Sequence, residues 1–414
     1  MTADTTAHPR ATALLDEASA LDAVDPLASF VDLFEPAPGV SAYLDGNSLG
    51  RPVRGTPERI ARFVREDWGT RLIRSWDEGW MELPLELGDR IGRVTLGAAA
   101  GQTVVADSTT VLLYKLIAAA VARTPAGGRI VIERGNFPSD RFIVDGIATT
   151  KGLVVDRIDP DPIRGVVAED LEAVLTETTA LVVLSHVDYR SGAVADMAGI
   201  TALVRGAGAI ILWDLCHSAG VIPTQLDAWG VDLAVGCTYK YLNGGPGSPA
   251  FAYVRRGLHD VLEQPIQGWM GAADVFSMGP EYRAAPGMRR FLSGTPPVAA
   301  MVPMQGMLDL IESAGLGAVR QKSRTLTDLA VRAYDDALAP RGVELLSPRD
   351  SDLRGSHVLF GHPSFRSVTE RLWHDGVIPD FRGPRGIRVG LSPLSTTHAE
   401  VVHGVLAIAS AMPA

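Results

Sequence analysis

Residues 236–247 read Gly-Cys-Thr-Tyr-Lys-Tyr-Leu-Asn-Gly-Gly-Pro-Gly, which places one lysine between two tyrosines at the start of a glycine-rich turn. Lysine is scarce in this chain, since the other lysines are Lys115, Lys151 and Lys322. Arginine stays protonated and forms no Schiff base, so a lysine beside a glycine-rich loop can be present for its amine. We predict that Lys240 is a covalent anchor for an aldehyde, and a solvated loop lysine is the alternative.

The composition is that of a globular protein with a well-filled interior. A chain of 414 residues with 46% hydrophobic content is long enough for a large domain and a smaller one. The formal net charge of −10 and the scattered basic residues argue against nucleic-acid binding. The sequence shows no signal-peptide pattern and no segment of membrane-spanning length, so we expect no membrane partner and a cytoplasmic location.

Cys216 and Cys237 have no CxxC or histidine-rich context, which favours buried free thiols.

From about residue 100 to 255, short apolar runs alternate with helix-period segments, a pattern typical of an α/β protein with a parallel sheet and helices on both faces. The predicted strands are Arg129–Glu133, Leu153–Ile158, Ala180–Ser185, Ala209–Asp214, Leu233–Gly236 and Ala250–Val254. The predicted helices between them are Val111–Arg123, Ala168–Thr176 and Met197–Arg205. Ligands of such sheets bind beyond the carboxyl ends of the strands, so the polar residues that follow each strand are the candidates for a site.

The pattern changes after about residue 300, which predicts a second, smaller α+β domain. We expect an N-terminal segment, 1–50, packed on the small domain, a large domain over 51–300 and the small domain over 301–414. In the small domain the sequence predicts a helical stretch from Leu308 to Leu338, strands Val343–Leu346, His357–Gly361 and Gly386–Gly390, and helices Phe365–His374 and from Thr397. Arg141–Gly146 and Gly268–Ser293 have no clear period and are predicted to be loops near the site.

Three segments offer groups that could hold a ligand. Asp107-Ser-Thr-Thr110 precedes a helix and suits a phosphate, although an ordinary N-cap explains it as well. Asn136-Phe-Pro-Ser-Asp140 offers an aromatic face and a carboxylate, and its alternative is a simple turn. In Trp213-Asp-Leu-Cys-His217 the acid can hold a protonated ring nitrogen; a metal pair of Asp214 and His217 is the alternative, but no third ligand is evident.

Together these segments describe a site for pyridoxal phosphate (PLP). They supply a Schiff-base lysine, an acid for the pyridinium nitrogen, a stacking ring and a helix N-terminus for the phosphate. The chain from about residue 40 onward also resembles the kynureninase family, PLP enzymes of fold type I. The motifs that carry the resemblance are Tyr43–Gly50, Leu72–Trp76, Asp107–Thr110, Phe137–Asp140, Trp213–Gly220, Cys237–Asn243, Gly268-Trp269 and Gly294–Pro297.

The resemblance implies a large domain with a mostly parallel seven-stranded sheet, a PLP cofactor and a homodimer with shared active sites. It gives catalytic roles to Lys240, Tyr239 and Asp214, with Lys240 bound covalently to PLP and Asp214 paired with its ring nitrogen. The implied cofactor-binding residues are these three together with Thr109, Thr110, Phe137, Asp140, Ser185, His217, Trp269 and Thr295, of which Trp269 and Thr295 would come from the partner subunit. The substrate would be held by Arg388, Asn47 and Ser48, with Arg388 on its α-carboxylate.

The implied reaction belongs to tryptophan catabolism. It is hydrolysis of the Cβ–Cγ bond of L-kynurenine or 3-hydroxykynurenine to L-alanine and anthranilate or 3-hydroxyanthranilate, and the alternative is a different γ-oxo or β-substituted amino acid as substrate. That alternative rests on departures from the family pattern at Met270, Ala272 and Ser395, in segments that we expect to touch the substrate side chain. Asp188 is a further departure, since bacterial members commonly carry asparagine there.

Overall fold

The computed structural model describes residues 9–413, and their strands form two sheets. The larger has seven strands in the order β2-β8-β7-β6-β5-β3-β4, and the smaller has five in the order β1-β11-β12-β10-β9. The strands are β1 (Ala42–Leu44), β2 (Thr103–Ala106), β3 (Arg129–Glu133), β4 (Val154–Ile158), β5 (Thr179–Ser185), β6 (Ile210–Asp214), β7 (Leu233–Gly236), β8 (Ala250–Val254), β9 (Glu344–Leu345), β10 (His357–Gly361), β11 (Val377–Arg382) and β12 (Gly386–Gly390).

Helices cover both faces of the large sheet and one side of the small one. They are α1 (Pro9–Ala23), α2 (Thr56–Arg62), α3 (Leu83–Ile91), α4 (Thr109–Ala120), α5 (Pro138–Lys151), α6 (Ala168–Glu172), α7 (Met197–Gly206), α8 (Leu226–Trp229), α9 (Val298–Met301), α10 (Met304–Ala314), α11 (Leu316–Ala337), α12 (Phe365–His374) and α13 (His398–Ala411). Throughout residues 9–413, we find no helix that combines the length and the apolar character needed to cross a membrane.

The pleat of the large sheet divides its apolar side chains between two cores. Ile130 and Leu181 face α4 and α5, whereas the adjacent Val131 and Val182 face α3 and α7. Parallel strands buried on both faces read as continuous apolar runs, which is why the sequence predicts them. Six strands run in one direction, and β8 is antiparallel to both of its neighbours. The predicted α/β class and mostly parallel seven-stranded sheet are confirmed.

Two predictions about elements are wrong. Arg141–Gly146 is not a loop, because it lies inside α5. The exposed Phe142, with 67% of its surface open to solvent, interrupts the apolar period set by the buried Val144 and Ile147. The single helical stretch from Leu308 to Leu338 is two helices, α10 and α11, which meet at Gly315 with a left-handed φ of 77°.

The small sheet combines strands from both ends of the sequence. β1 pairs in parallel with β11, and α1 packs on α13 through the core that contains Leu14 and Ala18. Asp22 accepts hydrogen bonds from the backbone N–H groups of His398 and Ala399. Residues of α10 pack instead with the large sheet, although they follow residue 300. The boundaries at 50 and 300 stay predictions.

Candidate active site

The predicted site residues converge on a cavity of about 140 Å³ at the carboxyl edge of the large sheet. Its walls come from the ends of β5 and β6, the turn after β7 and the first turns of α4 and α5. The lining residues are Ser108, Thr109, Thr110, Phe137, Ser139, Asp140, Ser185, Val187, Tyr189, Asp214, Cys216, His217, Tyr239 and Lys240. The turn after β7 thus brings Lys240 beside residues that are more than a hundred positions earlier in the chain.

Lys240 contacts a histidine and two aromatic rings. Its Nζ lies 3.0 Å from His217 Nε2 and 5.9 Å and 6.0 Å from the ring centres of Phe137 and Tyr239. Burial, and then the positive charge of Lys240, hold the pKa of His217 well below its usual range. The imidazole is therefore neutral, and its Nε2 lies within hydrogen-bond distance of the amine of Lys240. His217 Nδ1 is buried and has no hydrogen-bond partner among residues 9–413.

Three acids, Asp214, Asp140 and Glu133, lie close enough to one another to interact electrostatically. Asp214, at the end of β6, accepts a hydrogen bond of 2.6 Å from the backbone N–H of Cys216. Asp140 is buried, and neither of its carboxylate oxygens has a hydrogen-bond partner in the described part of the chain. Burial, followed by the negative charges of Asp214 and Glu133, raises the pKa of Asp140 well above its usual range. Burial likewise raises the pKa of Glu133 to about 8. Burial therefore favours the protonated form of both carboxyl groups.

The N-terminus of α4 forms the opposite wall. Ser108 caps this twelve-residue helix by accepting a hydrogen bond from the N–H of Val111, and the hydroxyls of Thr109 and Thr110 lie beside it. The partial positive charge of the helix end and its free N–H groups suit an anion. Asp107 points away from the cavity, because its carboxylate accepts a 2.6 Å hydrogen bond from the buried Lys115.

Phe137 is one of the aromatic residues that line the cavity, with Tyr189 and Tyr239. Its ring meets that of Tyr189 edge-on, at 5.3 Å and 88°. The remaining predicted cofactor residues, Trp269 and Thr295, do not line the cavity within residues 9–413, and both are exposed. With 44% of its surface open, Trp269 is free to contact a second molecule.

The predicted substrate residues lie next to the cavity and not on its wall. Arg388, in the middle of β12, is buried and donates hydrogen bonds to the backbone oxygen of Tyr189 at 2.6 Å and to Ser48 Oγ at 2.7 Å. Asn47 is fully buried, and neither atom of its amide group has a partner among the residues that the structure describes. Tyr189 connects the two regions, because its ring lines the cavity while its backbone holds Arg388.

The departures from the family pattern lie off the cavity of their own chain. The side chain of Met270 is fully buried in the core between α4 and the large sheet, and Ser395 donates a hydrogen bond of 3.5 Å to the backbone oxygen of Ser392. Neither they nor Ala272 line the cavity of this chain. Asp188 accepts hydrogen bonds from the N–H groups of Arg190 and Ser191, so it shapes its own turn.

Sequence reasoning missed some neighbours of the site. Cys216 lies within a motif quoted above and Tyr189 directly follows Asp188, yet only the fold shows that they line the cavity. His357, on the first position of β10, was missed entirely; its ring centre is 5.2 Å from that of His217. The buried run of β10 shows only that His357 is on a strand, and the tertiary fold places it near the site.

Comparisons with known proteins show the family of the chain. The family description "Kynureninase C-terminal domain" matches residues 319–408. A kynureninase from Pseudomonas fluorescens is 41% identical over 390 residues, which cover 92% of this chain and 91% of that protein. One from Burkholderia pseudomallei strain 1106a is 41% identical over 392 residues, covering 93% and 92%. The chain belongs to the kynureninase family.

Solved structures place this kynureninase-family chain in its fold class. A cysteine desulfurase from Thermococcus onnurineus NA1 superposes with a TM-score of 0.77 at 20% identity, covering 94% of this chain and 96% of that one. A variant of C-DES with glycine covalently linked to its PLP cofactor gives 0.79 at 18% identity, covering 89% and 96%. At this identity the likeness concerns the fold alone, and it confirms the predicted fold type I.

Proposed function

We propose that the chain is a PLP-dependent hydrolase that cleaves the Cβ–Cγ bond of L-kynurenine or 3-hydroxykynurenine. The products are L-alanine and anthranilate or 3-hydroxyanthranilate. One observation carries the proposal: the amine of Lys240 lies 3.0 Å from a neutral imidazole, in a cavity that Asp214 and Phe137 also line. The 41% identity to kynureninases over more than nine-tenths of the chain supports the same reaction.

The lining residues fit PLP. Phe137 offers a ring face, Asp214 an acceptor for a protonated ring nitrogen, and the start of α4 an anion site for the phosphate. The buried oxygens of Asp140, which have no partner within residues 9–413, are free for a polar group of the cofactor. When bound, PLP supplies an electron sink for the negative charge that develops on the substrate Cα.

The residues of the chain then move protons. Lys240 takes the proton from Cα, and the neutral His217 keeps the amine in position without competing for that proton. Burial raises the pKa of Tyr239 above its usual range, so its phenol stays protonated and can donate. A water adds to the γ-carbonyl, the Cβ–Cγ bond breaks, and Cγ leaves as a carboxylic acid. Cβ then receives a proton, and Lys240 returns its proton to Cα, which gives alanine.

Arg388, with Ser48 and Asn47, holds the α-carboxylate of the substrate. A guanidinium fork fixes both oxygens of a carboxylate and so sets the orientation of the amino acid. The burial of Arg388 and the unpaired amide of Asn47, judged among the described residues, support this role.

A homodimer with shared sites completes the proposal. Trp269 and Thr295 are exposed and lie off the cavity of their own chain, which supports their reaching into the site of a partner subunit. We also retain the cytoplasm as the proposed compartment and tryptophan catabolism as the proposed pathway.

Two measurements test cofactor and substrate separately. Protein loaded with PLP should show the absorption band of lysine-bound cofactor, which should be lost in Lys240→Ala and kept in the control Lys151→Ala. Release of alanine should follow addition of L-kynurenine or 3-hydroxykynurenine. A band that persists without Lys240 refutes the anchor. A protein that has the band but releases alanine from neither compound refutes the substrate.

A further inference from the structure

The buried Arg388 has an acid of the protein as its direct neighbour. Asp380 on β11 stands opposite Arg388 on β12 in the antiparallel register, so both side chains project from the same face of the sheet. Asp380 Oδ2 lies 2.9 Å from Arg388 Nη2, whereas the nearest oxygen of Asp45 is 3.9 Å away. Only 1% of the Arg388 side chain is exposed, so Asp380 neutralises a charge that water does not reach.

The hydrogen bonds of Arg388 leave one edge of the guanidinium for a ligand. Nη1 donates to the backbone of Tyr189 and Nη2 to Ser48, while Nε is buried without a partner among residues 9–413. A carboxylate grips a guanidinium through Nη1 and Nη2 or through Nε and Nη2. Both arrangements use Nη2, the nitrogen that Asp380 contacts. A second carboxylate at that nitrogen would therefore meet the charge of Asp380.

Arg382 is a second arginine that forms an ion pair with Asp380. It lies two positions along β11, on the same face, and its Nε is 2.5 Å from Asp380 Oδ2. Its guanidinium is 6.0 Å from the ring centre of Tyr189, which lines the cavity. Within the described chain, Asp380 Oδ2 has no well-directed hydrogen bond to either arginine. These contacts are ion pairs and not directed hydrogen bonds, so Asp380 keeps a cationic partner in Arg382 when another carboxylate binds Arg388.

We propose that Asp380 is the resident counter-ion of Arg388 in the ligand-free protein, and that the substrate α-carboxylate replaces it while Asp380 stays with Arg382. This inference rests on the proposed function, in which Arg388 binds that carboxylate. The exchange substitutes one negative charge for another, so the guanidinium is never buried without a counter-ion. An uncharged amide offers no such compensation. Asp380 thereby keeps the charge of Arg388 compensated until a carboxylate binds.

The test compares two ligands that lack an amine and so cannot form a Schiff base with the cofactor. They are 4-oxo-4-phenylbutanoate and its primary amide, titrated into the PLP-loaded protein in a calorimeter. We expect the parent protein to bind the acid and not the amide. Asp380→Asn removes the competing charge and should bind the acid about tenfold more tightly. Arg382→Gln leaves Asp380 with Arg388 alone and should bind the acid about tenfold more weakly.

The opposite signs separate this exchange from a structural role. If Asp380 and Arg382 merely support the sheet, both variants bind the acid more weakly; that result, or an unchanged affinity in Asp380→Asn, overturns the inference. Asp380→Ser carries the same expectation and replaces Asp380→Asn should the latter not fold. Glu344→Gln breaks an exposed arginine pair at the edge of the same sheet and should leave the affinity unchanged.

A separate measurement tests the proposed function itself. Arg388→Gln should abolish binding of the acid. If it does not, or if the parent protein binds acid and amide equally, then Arg388 is not the carboxylate site and the failure belongs to the proposed function.

Discussion

Most of the residues that surround Lys240 in the structure are distant from it in the sequence. Motif reasoning identified Lys240, Asp214 and His217 correctly as neighbours of one cavity. It did not reveal that His217 contacts the lysine, or that the pKa values of Asp140 and Glu133 are raised. Those properties arise from burial, which depends on the packing of β3, β5 and β6 and is not written in any local pattern.

Glu133 makes the stability of the protein depend on pH. Its carboxyl titrates near 4.5 when exposed and near 8 when folded, so between these values the unfolded chain has lost a proton that the folded protein keeps. The free energy of unfolding therefore falls as pH rises through this window. Glu133→Gln removes the titration and retains an acceptor oxygen for the N–H of Ser185. We expect the variant to gain stability over its parent by on the order of 3 kcal/mol between pH 5 and pH 9.

Denaturant unfolding of both proteins, in the same cofactor state and at several pH values, measures this difference. Glu177→Gln changes an exposed glutamate and should show no such trend. A stability gap between Glu133→Gln and its parent that stays constant with pH would mean that Glu133 is ionised in the folded protein.

The turn after β1 is held on β12 by close backbone contact. The N–H of Gly46 donates to the oxygen of Gly390, and a Cβ added at Gly390 would lie 1.7 Å from Asn47 Oδ1. An alanine there must push Asn47 and the adjacent Ser48 away from the strand, and with them the partner of Arg388. We expect Gly390→Ala to cost about 1–3 kcal/mol of stability and to weaken binding of carboxylate ligands.

Thermal unfolding and calorimetric titration check both effects. Gly317→Ala serves as the control, since a Cβ at this position in α11 meets nothing within 4 Å and alanine favours the helix. If Gly390→Ala unfolds and binds like its parent, the turn is not held by this contact.

The strands β2 and β11 were not predicted from the sequence, and the reason is the same for both. β2 has four residues, and β11 contains Pro379 and charged side chains, so neither shows the apolar run or alternation of an obvious strand. Both are strands because neighbours pair with them, β8 in one case and β1 and β12 in the other. Strands buried on both faces, such as β3 and β10, were predicted with their observed bounds.

The subunit arrangement can be tested on the molecule as a whole. Lys240→Ala and the double variant Trp269→Ala/Thr295→Ala should each be inactive alone, because each damages every site of its own dimer. Mixed after reversible dissociation, they should recover about a quarter of the parent activity, since half of the dimers are mixed and each has one intact site.

The matched control mixes Lys240→Ala with Asp214→Ala. Each subunit supplies both of these residues to the same site, so every site of a mixed dimer is damaged and no activity should be recovered. Recovery in that control, or none in the first mixture, would mean that the sites are not shared as proposed.

The pairing of β1 with β11 also determines when the small sheet can form during synthesis of the chain. Ser41 and Gly376, joined by a hydrogen bond next to this pair of strands, are 335 positions apart. At a synthesis rate of about 5–20 residues per second, β1 waits roughly 20–60 s on the ribosome for its partner. The large sheet, whose strands are complete by residue 254, has all its pairing partners long before that. We therefore expect the large sheet to fold during translation and the small sheet only after β11 has emerged, so nascent chains stalled between them should hold β1 unpaired.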